Sequence, residues 1–311
     1  MLGSKLCDLL KIKYPIIQGG MAWIADAKLA AAVSNAGGLG LIAAMNSTGE
    51  QLREEIKAIR KLTKKPFGVN VMLMSPHAKD AARVVIEEKV PVLTTGAGNP
   101  AIYMKDWLAA GITVLPVVAS TAHAKMMSRS GAAAVIAEGS EAGGHVGELT
   151  TMALLPQVID AVEVPVVAAG GICDGRQAAA AFVMGAAGLQ IGTRFLAATE
   201  CGIHANYKKR VLAAKDIDSI VTGKRLGHPV RSIKTPFSRR MFELEYDASI
   251  SNEELEKRFG GCLRLAAVDG DEENGCFMAG QVAAMVKSEQ TVAEIMAEIM
   301  DGAREALKKL G

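Results

Sequence analysis

Eight short apolar runs rich in β-branched residues recur along the chain roughly every 20 to 25 residues, and an Ala/Leu-rich stretch with helical spacing follows each. Parallel strands need such crossovers, so the alternation predicts βα units around one parallel sheet. The runs lie at residues 15–18, 38–42, 67–72, 92–95, 113–118, 134–137, 166–169 and 189–191. Eight units in regular succession favour closure into a (β/α)8 TIM barrel, an α/β fold, over an open doubly wound sheet. No G-x-G-x-x-G follows the first run, which disfavours a Rossmann dinucleotide site.

The helices between carry start and stop signals. Asp26 is placed to cap a helix from residue 27 that stops at Gly37-Gly38, and Thr48 to cap one over 49–62. Beyond residue 200 the alternation degrades into mixed charge, a Gly227-His228-Pro229 stretch and an acidic, Gly-rich segment at 269–275. Residues 201–275 are therefore read as a lid or cap inserted after strand eight, with 1–200 and 276–311 forming the barrel. Two helices, 277–286 and 291–310, are expected to finish the chain.

The bulk numbers bound the partners. At 311 residues, half of them hydrophobic and 22% charged, the chain has the apolar content of a large core rather than a disordered segment. A net charge of +2 sets up no strong field for nucleic acid. The basic clusters Lys208-Lys209-Arg210, Lys224-Arg225 and Arg239-Arg240 read either as solvated faces or as a docking patch for an acidic carrier protein. Five cysteines without C-x-x-C spacing suggest neither a zinc site nor a disulfide framework, and no His/Asp/Glu spacing encodes a metal site. With no leader-like start and no run of eighteen apolar residues, the expectation is a soluble, cytoplasmic protein without a membrane partner.

Glycines mark the carboxyl ends of the strands, where barrel enzymes build their sites. Gly170-Gly171 after strand seven and Gly192-Thr193 after strand eight suit a phosphate, since Cβ-free backbone lets amide N–H groups face anionic oxygens and Thr193 offers a hydroxyl. The run from Glu138 to Gly147 sets His145 among four glycines, including Gly143 and Gly144. Such a loop approaches a flat ligand closely while presenting a group that exchanges protons near neutrality. Gln18-Gly19-Gly20-Met21, with Asn70 closing strand three, offers glycine backbone, a soft apolar surface and an amide for a ring's polar edge. His77, His123 and His204 fall near helix starts and read as surface or capping residues, whereas His228, in the lid, is within reach of a ligand. Glu138 and Glu141 flank the histidine loop, where either orients the imidazole or is simply solvated.

On these residues the chain resembles the flavin-dependent enoyl-acyl-carrier-protein reductase II family, which is related to nitronate monooxygenases. The resemblance covers essentially the whole length. It rests on Tyr14-Pro15-Ile16-Ile17-Gln18-Gly19-Gly20-Met21-Ala22-Trp23, Ala36-Gly37-Gly38-Leu39-Gly40, Lys65-Pro66-Phe67-Gly68-Val69-Asn70, Thr94-Thr95-Gly96-Ala97-Gly98-Asn99-Pro100, the Glu138–Gly147 run, Ala168-Ala169-Gly170-Gly171-Ile172, Gln190-Ile191-Gly192-Thr193-Arg194-Phe195 and Met278-Ala279-Gly280-Gln281. It implies FMN held by Gly19, Gly20, Met21, Asn70, Glu138, Gly170, Gly171, Gln190, Gly192 and Thr193, with Met278 and Gln281 near the flavin and His145 as the active-site histidine. It further implies NADH or NADPH as co-substrate, an enoyl chain on an acyl carrier protein, and a homodimer. Ala43-Ala44-Met45-Asn46 and His77 depart from the family's usual residues, which bears on pocket shape and acyl preference. Nitronate monooxygenase is the alternative enzyme, and an idle phosphate-binding barrel the non-enzymatic one.

Overall fold

The computed structural model describes residues 2–309. Its strands are β1 Ile16–Gln18, β2 Gly40–Ala43, β3 Phe67–Met72, β4 Val92–Gly96, β5 Thr113–Val118, β6 Val135–Glu138, β7 Gly144–His145, β8 Val166–Ala169, β9 Gly188–Ile191, β10 Ser219–Thr222 and β11 Val230–Ile233. Eight of them pair in parallel in the order β1-β9-β8-β6-β5-β4-β3-β2. At the remaining seam the Gln18 N–H donates to Leu39 O at 3.0 Å and the Leu39 N–H to Ile16 O at 2.9 Å, while the Gln18 side chain accepts from the Leu41 N–H. These bonds draw β1 onto β2 and make the sheet a (β/α)8 barrel.

All eight expected runs are barrel strands, and the reason lies in their burial. A parallel strand has helices on one face and barrel interior on the other, so both faces read apolar. Val69, Leu93, Val114, Val135 and Val166 face the helical layer. Ile17, Leu39, Leu41, Leu115, Ile136 and Val167 fill the interior together with Leu6 and Leu10 of an N-terminal helix, Ser4–Leu10, that plugs the bottom. Gly188 in β9 admits that plug, since a Cβ there would lie 2.2 Å from the Leu6 Cδ2. Each such buried aliphatic side chain contributes about 2 kcal/mol relative to exposure.

The caps behave as read. Asp26 accepts from the Leu29 N–H at the start of Ala27–Ala36, and Thr48 forms a capping box with Gln51 on Gly49–Leu62. The last helix, Val292–Lys308, starts at Thr291 with a capping box of the same kind. Among the described residues no helix is long and apolar enough to cross a membrane.

Residues 277–286 do not form the expected helix. They run extended through Gly280 and then make a short 3-10 turn, Gln281–Met285. Tertiary partners take the backbone groups that a helix would use. Phe277 O accepts from the Ile233 N–H at 2.9 Å, and the Gly280 N–H donates to Thr193 Oγ1 at 2.8 Å. The segment between β9 and this stretch holds helices Ala205–Ala213, Pro236–Leu244 and Asn252–Phe259. It also holds the antiparallel pair β10–β11, and β7 joins that pair through β11 in a second, three-stranded sheet at the barrel mouth.

Candidate active site

Alternation along the strands decides which side chains reach the mouth from inside. In β3, β6 and β9 the inward positions Gly68, Ile136 and Gly188 are followed two residues later by Asn70, Glu138 and Gln190. Three polar side chains thus crown an apolar barrel interior. The Asn70 amide donates to Thr94 Oγ1 at 2.9 Å, which fixes its orientation. Gly20 leaves room for it, because a Cβ at that position would lie 2.2 Å from Asn70 Cγ. Gln190 Oε1 is buried and has no hydrogen-bond partner. Burial pushes the Glu138 carboxyl up to about 7, well above the ordinary carboxylate range.

The loop after β6 is pinned on several sides. The Gly139 N–H donates to Ala169 O and the Ser140 N–H to Leu149 O. Glu141 is neither solvated nor bound to the imidazole: its carboxylate accepts from the Thr151 N–H and hydroxyl, capping helix Thr151–Ala161, while its carbonyl accepts from the Gln281 N–H at 2.9 Å. Gly143 lies so close to the 279–280 backbone that a Cβ would come within 2.6 Å of Ala279 C. The chain then enters β7, where His145 stands opposite Val230 of β11. Its imidazole is open to solvent on one side. Burial on the other lowers its pKa below the ordinary 6.5, and His228 pushes in the same direction. His145 is accordingly neutral at pH 7, with one ring nitrogen a donor and the other an acceptor.

Gly170 and Gly171 both adopt left-handed backbone, φ +87° and +71°, at the end of β8. Among the described residues the N–H groups of Gly171 and Thr193 have no protein acceptor. The longer helix N-terminus nearby, Gly175–Val183, is filled by its own cap, Asp174. Thr193 Oγ1 accepts from the Gly280 N–H, which ties it to the C-terminal segment and leaves its hydroxyl proton to be offered.

His145 and the residues read as cofactor-holding line one continuous cleft at the barrel mouth except Gln281, whereas Gln18 is buried in the β1–β2 seam and His228 is not among the cleft's lining residues. Gln281 opens the 3-10 turn with its side chain in solvent, and its neighbours Gly280 and Val282 face the cleft instead. The walls also include Met45, Met72 and Leu263. Leu263 had no sequence signal, because it arrives from the far end of the 200–275 segment. His204 caps Ala205–Ala213 through the Asn206 N–H, as read. The basic clusters are largely engaged internally: Lys208 with Ala198 O and Glu289, Arg210 with Glu272, and Arg225 with Asp247 O, Ile250 O and Asn252. Lys209, Lys224 and Arg239 of the same clusters are exposed. Arg194 points away from the cleft to Gln290 and Glu298, tying the barrel to its last helix.

The cleft fits the FMN implied by the resemblance. An orphaned acceptor at Gln190 matches a ring N–H, glycine backbone allows close approach, and the free N–H groups of Gly171 and Thr193 suit anionic oxygens. Met21, Met278 and the aliphatic wall suit the faces of a flat ring.

Comparison with known proteins agrees on the family. The nitronate monooxygenase family model matches residues 3–88 and 80–302. FabK from Thermotoga maritima superimposes with a TM-score of 0.96 at 48% identity, covering 98% of this chain and 97% of that one. A carboxyl-CoA dehydrogenase of Rhodococcus jostii acting on a hydroxy-methyl-oxo-octahydroindene is 40% identical over 75% of this chain and 66% of its own length. A probable nitronate monooxygenase of Staphylococcus saprophyticus is 35% identical over 86% of this chain and 88% of that protein. A parallel barrel with its polar crown and histidine loop at the carboxyl ends of the strands, matched almost end to end by these oxidoreductases, makes this chain an oxidoreductase that belongs to the nitronate monooxygenase family.

Proposed function

We propose that the chain is an FMN-dependent enoyl-acyl-carrier-protein reductase that takes hydride from NADH or NADPH, with His145 at the reacting centre. The observation that carries this reading is a neutral imidazole standing over a cleft whose floor offers unpartnered backbone and amide groups for a flavin. The near full-length likeness to FabK supports it, as does the likeness to an enzyme named for an acyl thioester.

Bound FMN would supply hydride transfer between nicotinamide and substrate, the hard chemistry that the protein alone lacks. Gln190, Asn70 and Glu138 would face the ring, and the Gly171 and Thr193 backbone its phosphate. The chain's own residues do the remaining work. As the β-carbon of a trans-2-enoyl thioester is reduced, negative charge gathers on the thioester oxygen. The donor nitrogen of His145 stabilises that charge, and the α-carbon takes its proton from the same imidazole or from water hydrogen-bonded to it. Loss of such a donor costs on the order of a hundredfold in rate. Met45, Met72 and Leu263 form an apolar wall that suits an acyl chain.

The family model and the staphylococcal relative favour a second reading, oxidation of nitronates with oxygen and without nicotinamide. NADH consumption on adding crotonyl thioester, set against oxygen uptake on adding a nitronate, separates the two. His145→Ala should keep its yellow flavin and lose most enoyl reduction. Unchanged turnover would remove His145 from the reaction, and a colourless purified protein would favour an idle phosphate-binding barrel.

A further inference from the structure

The β10–β11 hairpin is fastened to the histidine loop at one buried side chain. Arg231, 9% exposed, donates from Nε to Ser140 O at 2.9 Å and from a terminal nitrogen to Ser219 Oγ at 2.6 Å. It stands opposite Gly144 in the β11–β7 pairing, next to the Val230–His145 pair, and the Val146 N–H donates to Pro229 O at 3.0 Å. One guanidinium therefore spans the turn leaving β6, β10 and β11. The near half of the loop, through Glu141, is held by the barrel and the C-terminal segment. The far half, from Gly144 onward, hangs on β11.

We propose that Arg231 is the positioning residue for His145: its fork sets the spacing between β11 and the Ser140 turn, and so aims the imidazole over the cleft without touching substrate or cofactor. The guanidinium suits this task because its donors are rigid and planar, fixing direction as well as distance. A misplacement of about 1 Å at a reacting group costs on the order of a hundredfold. The inference rests on His145 acting as proposed above.

The test compares Arg231→Met, Arg231→Lys, His145→Ala and the Arg231→Met/His145→Ala double variant as flavin-loaded full chains. Flavin bleaching by NADH and reoxidation by crotonyl thioester are followed separately. The expectation is that Arg231→Met bleaches near the wild-type rate but reoxidises about tenfold or more slowly in kcat with little change in KM. Arg231→Lys falls between, and adding Arg231→Met to His145→Ala costs nothing further, since residues acting as one unit are non-additive. In flavin-free protein, hydrogen exchange should rise over 140–147 in Arg231→Met while the barrel strands stay protected. Equal slowing of both half-reactions, or a full additional loss in the double variant, overturns the assignment. If Arg231→Met does not fold, Arg231→Lys carries the same comparison. Wild-type protein that reoxidises with a nitronate and oxygen but not with the enoyl thioester sinks the reductase reading instead, and the same coupling is then read with the nitronate.

Discussion

Replacing Glu138 with Gln tests the electrostatics of the barrel mouth directly. A carboxyl whose folded pKa is about 7 instead of the ordinary 4.5 keeps its proton in the folded state over the interval in which the unfolded chain has released it. Folded protein then binds more protons than unfolded, so stability falls as pH rises through that interval and levels off above about 7. At about 1.4 kcal/mol per pH decade the full loss is about 3 kcal/mol. Glutamine has nearly the same shape and no proton to release, so the variant lacks this decline. The stability of Glu138→Gln minus that of wild type should start near its floor at pH 4.5 and grow by about 3 kcal/mol by pH 8. For a chain of 311 residues that is a relative shift in Tm of about 5 °C. Thermal unfolding of flavin-free protein in steps from pH 4.5 to 8 reads it, and every other titrating group cancels in the difference. Parallel curves for the two proteins would refute the claim that the carboxyl is enclosed without a partner.

His228→Ala removes one of the two influences that hold His145 below the ordinary histidine range, leaving burial as the larger one. The His145 pKa should rise, so the imidazole protonates at higher pH and the acidic limb of the kcat/KM profile moves upward; NMR of the ring nitrogens reads the same shift, and an unmoved pKa removes His228 from the site. Gly171→Asp sets a carboxylate at a left-handed position beside the free amides of the β8 end, and should yield colourless protein with an unchanged circular dichroism spectrum. Full flavin occupancy in that variant would mean that the phosphate lies elsewhere.

The barrel was legible because its signal is local. The runs at 67–72, 113–118 and 166–169 coincide with β3, β5 and β8, since both faces of a parallel strand are buried and short apolar runs separated by amphipathic helices have few other uses. The polar crown was only partly legible: Asn70 and Glu138 stand out as polar residues near the ends of apolar runs, whereas Gln190 entered only through the family resemblance. What the sequence hid depends on partners distant along the chain. Gly144-His145 has no strand pattern and becomes β7 only because β11 arrives from 85 residues onward to pair with it. The Phe277-Met278-Ala279-Gly280 run was read as helix, yet the Ile233 N–H takes the Phe277 carbonyl and Thr193 takes the Gly280 N–H. Gln281, implied by the resemblance, opens a turn that sets Gly280 and Val282 toward the cleft instead.

Two features of the crown share one physical cause. Gln190 Oε1 is buried without a partner, and burial raises the Glu138 carboxyl to about 7. Each opposes folding by roughly 1–3 kcal/mol, and neither is offset by any protein group nearby. Two residues lower along the strands, the same barrel interior is apolar, built largely of Ile, Leu and Val and closed by Leu6 and Leu10, so the fold had apolar residues available for the upper layer as well. A mouth that forgoes them, and leaves backbone N–H groups at Gly171 and Thr193 without acceptors among the described residues, is complementary to something that supplies a donor, an acceptor and negative charge at those points. A ligand of that description binds the folded chain and not the unfolded one, and its binding free energy returns the stability that the empty crown lacks. The polar crown and the glycine-cradled ends of β8 and β9 are therefore one device: a barrel left deliberately incomplete at the end where its histidine stands.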